Sequence, residues 1–79
     1  MTIEELRLIS EARDLVQSGK ATEMRKAAHL SQSEVAAFCG VTPACVCRWE
    51  NGQRLPRGAP AKKLARLMRS LTERTADVP

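Results

Sequence analysis

The stretch that decides the fold is residues 31–52, SQSEVAAFCGVTPACVCRWENG. Ser31 and Thr42 can each begin a helix, because a hydroxyl at this position accepts a hydrogen bond from an unpaired backbone N–H. Pro43 suits the first position of the second helix, where no N–H is needed. Gly40 can adopt the left-handed conformation that ends the first helix. The stretch therefore predicts two short helices joined by a tight turn.

These two helices, over residues 32–40 and 43–51 with a turn at about 40–42, form a helix-turn-helix pattern. Ala36 lets the second helix pass closely because its side chain is small. Val46 follows the turn and is predicted to pack between the two helices. By itself the pattern occurs in many helical bundles, so it indicates a fold more firmly than a function.

The rest of the chain also predicts helices. Thr2 and Glu5 match a capping box at the start of a helix that ends near Gly19. A short helix is expected over residues 21–28, and Pro60 is expected to begin the last one. No stretch alternates apolar and polar residues as a strand does. Two apolar stripes at helical spacing are Leu8, Ile9, Ala12, Leu15 and Val16 in the first helix, and Ala61, Leu64, Ala65, Leu67, Met68 and Leu71 in the last.

We therefore expect an all-α protein, a compact bundle of about five helices. A chain of 79 residues has room for one domain. Residues 1–19 are expected to form an extra N-terminal amphipathic helix and residues 20–73 the helix-turn-helix domain. Residues 74–79 are expected to be a frayed tail. The stripe of the first helix suits either the core or a second copy of the chain.

Charge and composition indicate which kinds of partner the protein can bind. The net charge is +4, and residues 53–79 alone carry seven basic and two acidic side chains. This basic third can form a patch for an anionic partner. Phe38 and Trp49 are the only aromatic residues, which argues against a stacking platform for single-stranded nucleic acid. With no long apolar run and no signal-peptide pattern at its start, the chain is expected to be cytoplasmic and not to bind a membrane.

The cysteines and the histidine of the sequence give little support for metal binding or catalysis. Cys45 and Cys47 would point about 200° apart on one helix, so they cannot share a metal ion. Cys39 and His29 do not complete a metal-binding spacing. One histidine, with no phosphate-binding loop, offers no arrangement for catalysis. We expect no metal, no cofactor and no enzymatic activity.

The segments Leu30–Ala36, Gly40–Thr42 and Val46–Gly52 resemble the XRE, or lambda repressor/Cro-like, helix-turn-helix family in both order and spacing. The resemblance covers about residues 22–71. Residues 49–58 are similar to a subset found in short phage regulators and in antitoxins. The resemblance to this family implies a lambda repressor-like DNA-binding domain whose recognition helix, about residues 43–51, enters the major groove.

The resemblance also implies roles for individual residues. Arg25 and Glu50 would form a structural ion pair. Arg48 is the strongest potential base reader, because a guanidinium can donate two hydrogen bonds to guanine. The expected base contacts are Pro43, Ala44, Cys47 and Arg48. The expected phosphate contacts are Gln32, Ser33, Thr42, Asn51, Arg54, Arg57, Lys62 and Lys63.

We expect a sequence-specific double-stranded DNA-binding regulator, bacterial or phage-encoded, that represses transcription as a homodimer on an inverted repeat. The contact between the copies would come from the first helix or from the last, which includes Leu67 and Leu71. One alternative is an antitoxin that also binds a toxin. Another is a protein-interaction module that keeps the fold without binding DNA.

Overall fold

The computed structural model describes residues 1–76, together with the side chains of residues 1–73. These residues form helices and no strand, which confirms the all-α class. The five helices are α1 (Ile3–Gln17), α2 (Lys20–Ala27), α3 (Gln32–Cys39), α4 (Pro43–Glu50) and α5 (Gly58–Ala76).

The predicted caps begin three of these helices. Thr2 Oγ1 accepts a hydrogen bond from Glu5 N at 3.1 Å, and Glu5 Oε1 accepts one from Thr2 N at 3.1 Å. Ser31 and Glu34 form the same reciprocal pair at the start of α3, at 3.0 and 2.9 Å. Thr42 Oγ1 accepts from Cys45 N at 3.2 Å, with Pro43 in the first turn of α4. Each cap satisfies backbone N–H groups that have no partner within the helix.

The last helix differs from the prediction at both ends. It begins at Gly58 instead of Pro60, so the proline is the third helical residue. A proline fits there because the first four N–H groups of a helix have no intrahelical acceptor. The helix continues to Ala76, into the segment that the sequence predicts to fray. Residues 77–79 of that segment lie outside the described residues.

The extra helix α1 packs into the same core as the helix-turn-helix, mainly against α5. Lys62 lies 2.6 Å from Glu5, and Arg69 lies 2.8 Å from Glu11. Because these two ion pairs advance in the same direction along both helices, α1 and α5 run parallel. The buried core consists of Leu8, Ile9, Ala12, Val16, Ala21, Val35, Ala36, Cys39, Val46, Trp49, Ala61, Leu64, Ala65 and Met68.

The two uses that the sequence left open for the α1 stripe are thereby resolved. Leu8, Ile9, Ala12 and Val16 face the core of the same chain. The stripe is therefore not free to bind a second copy. None of the helices within residues 1–76 combines the length and apolar character needed to span a bilayer.

Candidate nucleic-acid interface

The turn between α3 and α4 sets the position of α4, the expected recognition helix. Gly40 has a φ of 77° and ends α3, where its N–H donates to the Ala36 carbonyl at 2.9 Å. Val41 N donates to the same carbonyl at 3.0 Å. Val46 and Trp49 bury one side of α4 against the core. The opposite side of α4 is consequently turned outward.

The four residues predicted to read bases lie at spacings that place them on one face of α4. Pro43, Ala44 and Arg48 are exposed, and Cys47 is half-buried. Asn51 Nδ2 donates to Cys47 Sγ at 3.4 Å, which ties the end of the helix to this face. The face offers apolar contact near the helix start and one guanidinium further along. Such a surface can reach a thymine methyl group and a guanine edge.

A hydrogen-bonded cluster centred on Glu50 holds the C-terminal end of α4 in place. Arg25 Nε donates to Glu50 Oε2 at 2.6 Å, and Arg25 Nη2 donates to Glu50 Oε1 at 3.0 Å. Arg25 Nη1 also donates to the Leu30 carbonyl at 2.8 Å. The Arg25 and Glu50 side chains are only 11% and 12% exposed. The expected pair is thus bidentate and shielded, and it joins α2 to the end of α4.

Both charges of this pair persist despite their shielding. Burial alone raises the pKa of Glu50, but hydrogen bonds from Arg25 and Gln32, with the charges of Arg25 and Lys26, hold that pKa below its ordinary value. The hydrogen bond to Glu50 raises the pKa of Arg25. The cluster is therefore ionised near neutral pH and behaves as a fixed structural element.

The side chain of Gln32, which is expected to bind a phosphate, also belongs to this cluster. Its Nε2 donates to Glu50 Oε1 at 2.8 Å, so the amide turns toward the cluster. The amide nitrogen carries a second N–H, and the N-terminus of α3 favours an anion. A phosphate contact by Gln32 therefore depends on that second N–H. Ser33 and Thr42, also expected at phosphates, are exposed.

The two neighbouring lysines of α5 have different environments. Lys62 Nζ lies 2.6 Å from Glu5 Oε2, and this hydrogen bond, with those from Thr2, lowers the pKa of Glu5 to about 2. Lys63 is exposed, and its ammonium lies beside the turn, 3.9 Å from the position that a Cβ on Gly40 would occupy. The phosphate contact expected of Lys62 stays a prediction: its charge is paired within the fold, whereas that of Lys63 lies beside the helix-turn-helix.

The loop that follows α4 carries the two predicted arginines. Gln53 N and Arg54 N both donate to the Arg48 carbonyl, at 2.9 and 3.3 Å. Arg54 and Arg57 then line a surface groove of about 530 Å³ together with Cys45 and Trp49 of α4. The loop therefore folds back beside the recognition helix and places two guanidinium groups next to it.

Sequence reasoning missed one cation at this surface. Lys26, exposed at the end of α2, contributes a positive charge that helps to lower the pKa of Glu50. Its place in the last turn of the same helix as Arg25 was the available signal. Lys26 joins the candidate phosphate contacts.

The cysteines do not form a metal centre in the part of the chain that the structure describes. Within residues 1–76, no three His, Cys, Asp or Glu side chains come close enough to hold an ion. Cys39 is buried, and this burial raises the pKa of its thiol to about 11. Cys39 is therefore a neutral core residue, while Cys45 and Cys47 are half-buried on α4.

An exposed recognition helix, its supporting ion pair and the adjacent cations define a DNA-binding helix-turn-helix protein. Comparison with protein families agrees: the model described as helix-turn-helix matches residues 22–73. The chain belongs to this family, in its XRE or lambda repressor-like form. No significant match to a curated protein or to a solved structure was found. The match begins after α1, so α1 lies outside the family pattern.

Proposed function

We propose that the protein is a transcriptional repressor that binds a specific double-stranded DNA sequence and blocks a promoter by occupying it. The observation that carries this proposal is the charge around α4. Arg48, Arg54, Arg57 and Lys63 all lie on or beside the helix, and none forms an ion pair with a described residue. Unpaired cations around a protruding helix suit a phosphate backbone on both sides of a groove.

Sequence preference would come from few direct contacts. Arg48 is the one side chain on the outer face of α4 that can form a bidentate pair with a base. Pro43 and Ala44 can add apolar contact with a thymine methyl group, and Cys47 is a weak donor. We expect DNA shape and the spacing of half-sites to supply the remaining specificity.

A homodimer on an inverted repeat fits a single small domain. One recognition helix covers about half a turn of duplex, and paired half-sites lie about 34 Å apart or a multiple of this distance. The α1 stripe is buried in the core of the same chain, whereas Leu67 and Leu71 of α5 are only partly buried against that core. Of the two helices expected to join the copies, α5 therefore keeps apolar surface in this set that a second copy can cover.

The test is a selection from random duplex DNA by the purified protein at about 150 mM salt, followed by sequencing. We expect an enriched inverted repeat whose spacing gives the dimer geometry. The matched control is Arg48→Ala, which keeps the fold and removes the main reader. Failure of the wild-type protein to enrich any sequence contradicts the proposal.

The second candidate function is binding to a protein partner, as an antitoxin binds its toxin. The groove beside α4 has an apolar lining that includes Val41, Trp49 and Leu55, and Phe38 of α3 is 52% exposed. A contiguous exposed apolar patch often marks a protein contact. This candidate, in its form without DNA binding, predicts that the selection enriches nothing and that Arg48→Ala leaves duplex affinity unchanged.

A further inference from the structure

A long-range hydrogen bond links α1 to the loop after the recognition helix. Arg13 Nε donates to the Pro56 carbonyl at 2.9 Å, across 43 positions of sequence. Pro56 is among the most deeply buried residues of the chain. Arg13 belongs to α1, which lies outside residues 22–73 that match the family. The bond therefore joins an added helix to a part of the candidate DNA-binding surface.

The loop is held at two places by different elements. At its start, the Arg48 carbonyl of α4 accepts hydrogen bonds from Gln53 N and Arg54 N. At its end, the Pro56 carbonyl accepts from Arg13. Arg54 is thus anchored through α4, whereas Arg57 lies between Pro56, whose carbonyl is bound by α1, and Gly58, the first residue of α5. The two arginines depend on different supports although they line the same groove.

We propose that Arg13 is a positioning residue for DNA binding: by fixing the Pro56 carbonyl, it holds Arg57 where its guanidinium meets a phosphate. This inference rests on the proposed function. Arg13 itself does not contact DNA; it acts through Arg57. An ordered loop loses less conformational freedom on binding than a mobile one, so the tether increases duplex affinity.

The test uses Arg13→Met, which keeps the aliphatic stem and removes the donor. The readout is duplex affinity between 50 and 300 mM salt on the selected site. The salt slope, log K against log salt, falls by about 0.9 for each phosphate that the protein no longer neutralises. We expect Arg13→Met to lower affinity several-fold at about 150 mM salt and to reduce the slope by at most about 0.9 per bound protomer, because Arg57 then neutralises its phosphate only part of the time.

Arg7→Met is the matched control, because it removes an equal charge from the same helix. Arg7 is exposed, and no bond from its side chain is found within the described residues. We expect this variant to bind with nearly the wild-type slope. An equal effect of both substitutions means that Arg13 acts through overall charge and overturns the proposal.

Two further backgrounds separate positioning from simple stability. In an Arg57→Ala background, we expect Arg13→Met to have almost no additional effect on the slope, because its target is absent. In an Arg54→Ala background, we expect its full effect. Additive effects in both backgrounds overturn the proposal, as does a variant that is unfolded at the assay temperature. If the wild-type protein binds no duplex, the proposed function is wrong. If the wild-type protein binds a duplex and Arg13→Met binds it with the same affinity and salt slope, only the proposal for Arg13 is wrong.

Discussion

Replacing Arg25 with methionine tests the physical basis of the helix-turn-helix in this protein. The substitution keeps much of the aliphatic stem but leaves the Glu50 carboxylate, 12% exposed, with only Gln32 as a side-chain donor. It also removes the hydrogen bond to the Leu30 carbonyl. Removing one partner of a buried pair costs about 3–5 kcal/mol. Because Gln32 still donates to Glu50, we expect the lower end, about 3 kcal/mol.

The assay is unfolding by urea and by heat, followed by circular dichroism near neutral pH. For a domain of this size, a loss of about 3 kcal/mol lowers the midpoint of thermal unfolding by at least about 12 °C. Arg69→Met is the matched control, since its ion pair with Glu11 is 56% and 36% exposed and should contribute less than about 1 kcal/mol. If Arg25→Met costs no more than Arg69→Met, the cluster does not support the fold as argued.

A double-substitution cycle separates the pair from its surroundings. Glu50→Met removes the other charge, and the double variant Arg25→Met/Glu50→Met leaves no unpaired ion. We expect the double variant to be less destabilised than the sum of the single variants, with a coupling of about 1–3 kcal/mol. Additive costs would mean that the two side chains contribute independently.

Three other predictions concern the remaining charged groups. Lys63→Ala should lower the salt slope of duplex binding by about 0.9 per bound protomer, whereas Lys62→Ala should leave that slope nearly unchanged because Glu5 holds its charge; the reverse order would contradict the assignment. Arg48→Ala should cost about 1–3 kcal/mol on the selected site and flatten the preference at one base position, as measured by competition between duplexes; an equal loss on all sequences would exclude a reading role. The pKa of Glu5 is lowered from 4.5 to about 2, so the stability that its ion pair supplies is present above pH 4.5 and is lost as the pH falls toward 2. Glu5→Gln should therefore reduce stability at pH 6 and make acid unfolding shallower below pH 4.5, and an unchanged acid transition would refute the linkage.

Local features were predictable because their partners are close in sequence. The caps at Thr2, Ser31 and Thr42 each bind a backbone group three positions away, so spacing alone identified them. The left-handed turn at Gly40 follows from the same kind of short-range chemistry. The bidentate pair of Arg25 and Glu50 came instead from the family resemblance, which supplies a pairing that spacing does not.

Contacts between distant residues could not be read from the sequence. Lys62 looks like its neighbour Lys63, and only the docking of α1 brings Glu5 within reach of one and not the other. The bond from Arg13 to the Pro56 carbonyl has no sequence signal, because any residue offers a carbonyl. Whether the α1 stripe faced the core or a second copy was likewise undecided, since burial by either surface favours the same apolar pattern.

The parallel packing of α1 against α5 has a consequence for how the chain folds. Helices α3 and α4 can form their local contacts early, but the first helix finds its main partner only in the last one. Until α5 is present, the apolar side of α1, with Leu8, Ile9, Ala12 and Val16, lacks its main cover. During synthesis the chain therefore exposes this surface until α5 has been made, and its core closes in a step that joins two distant segments.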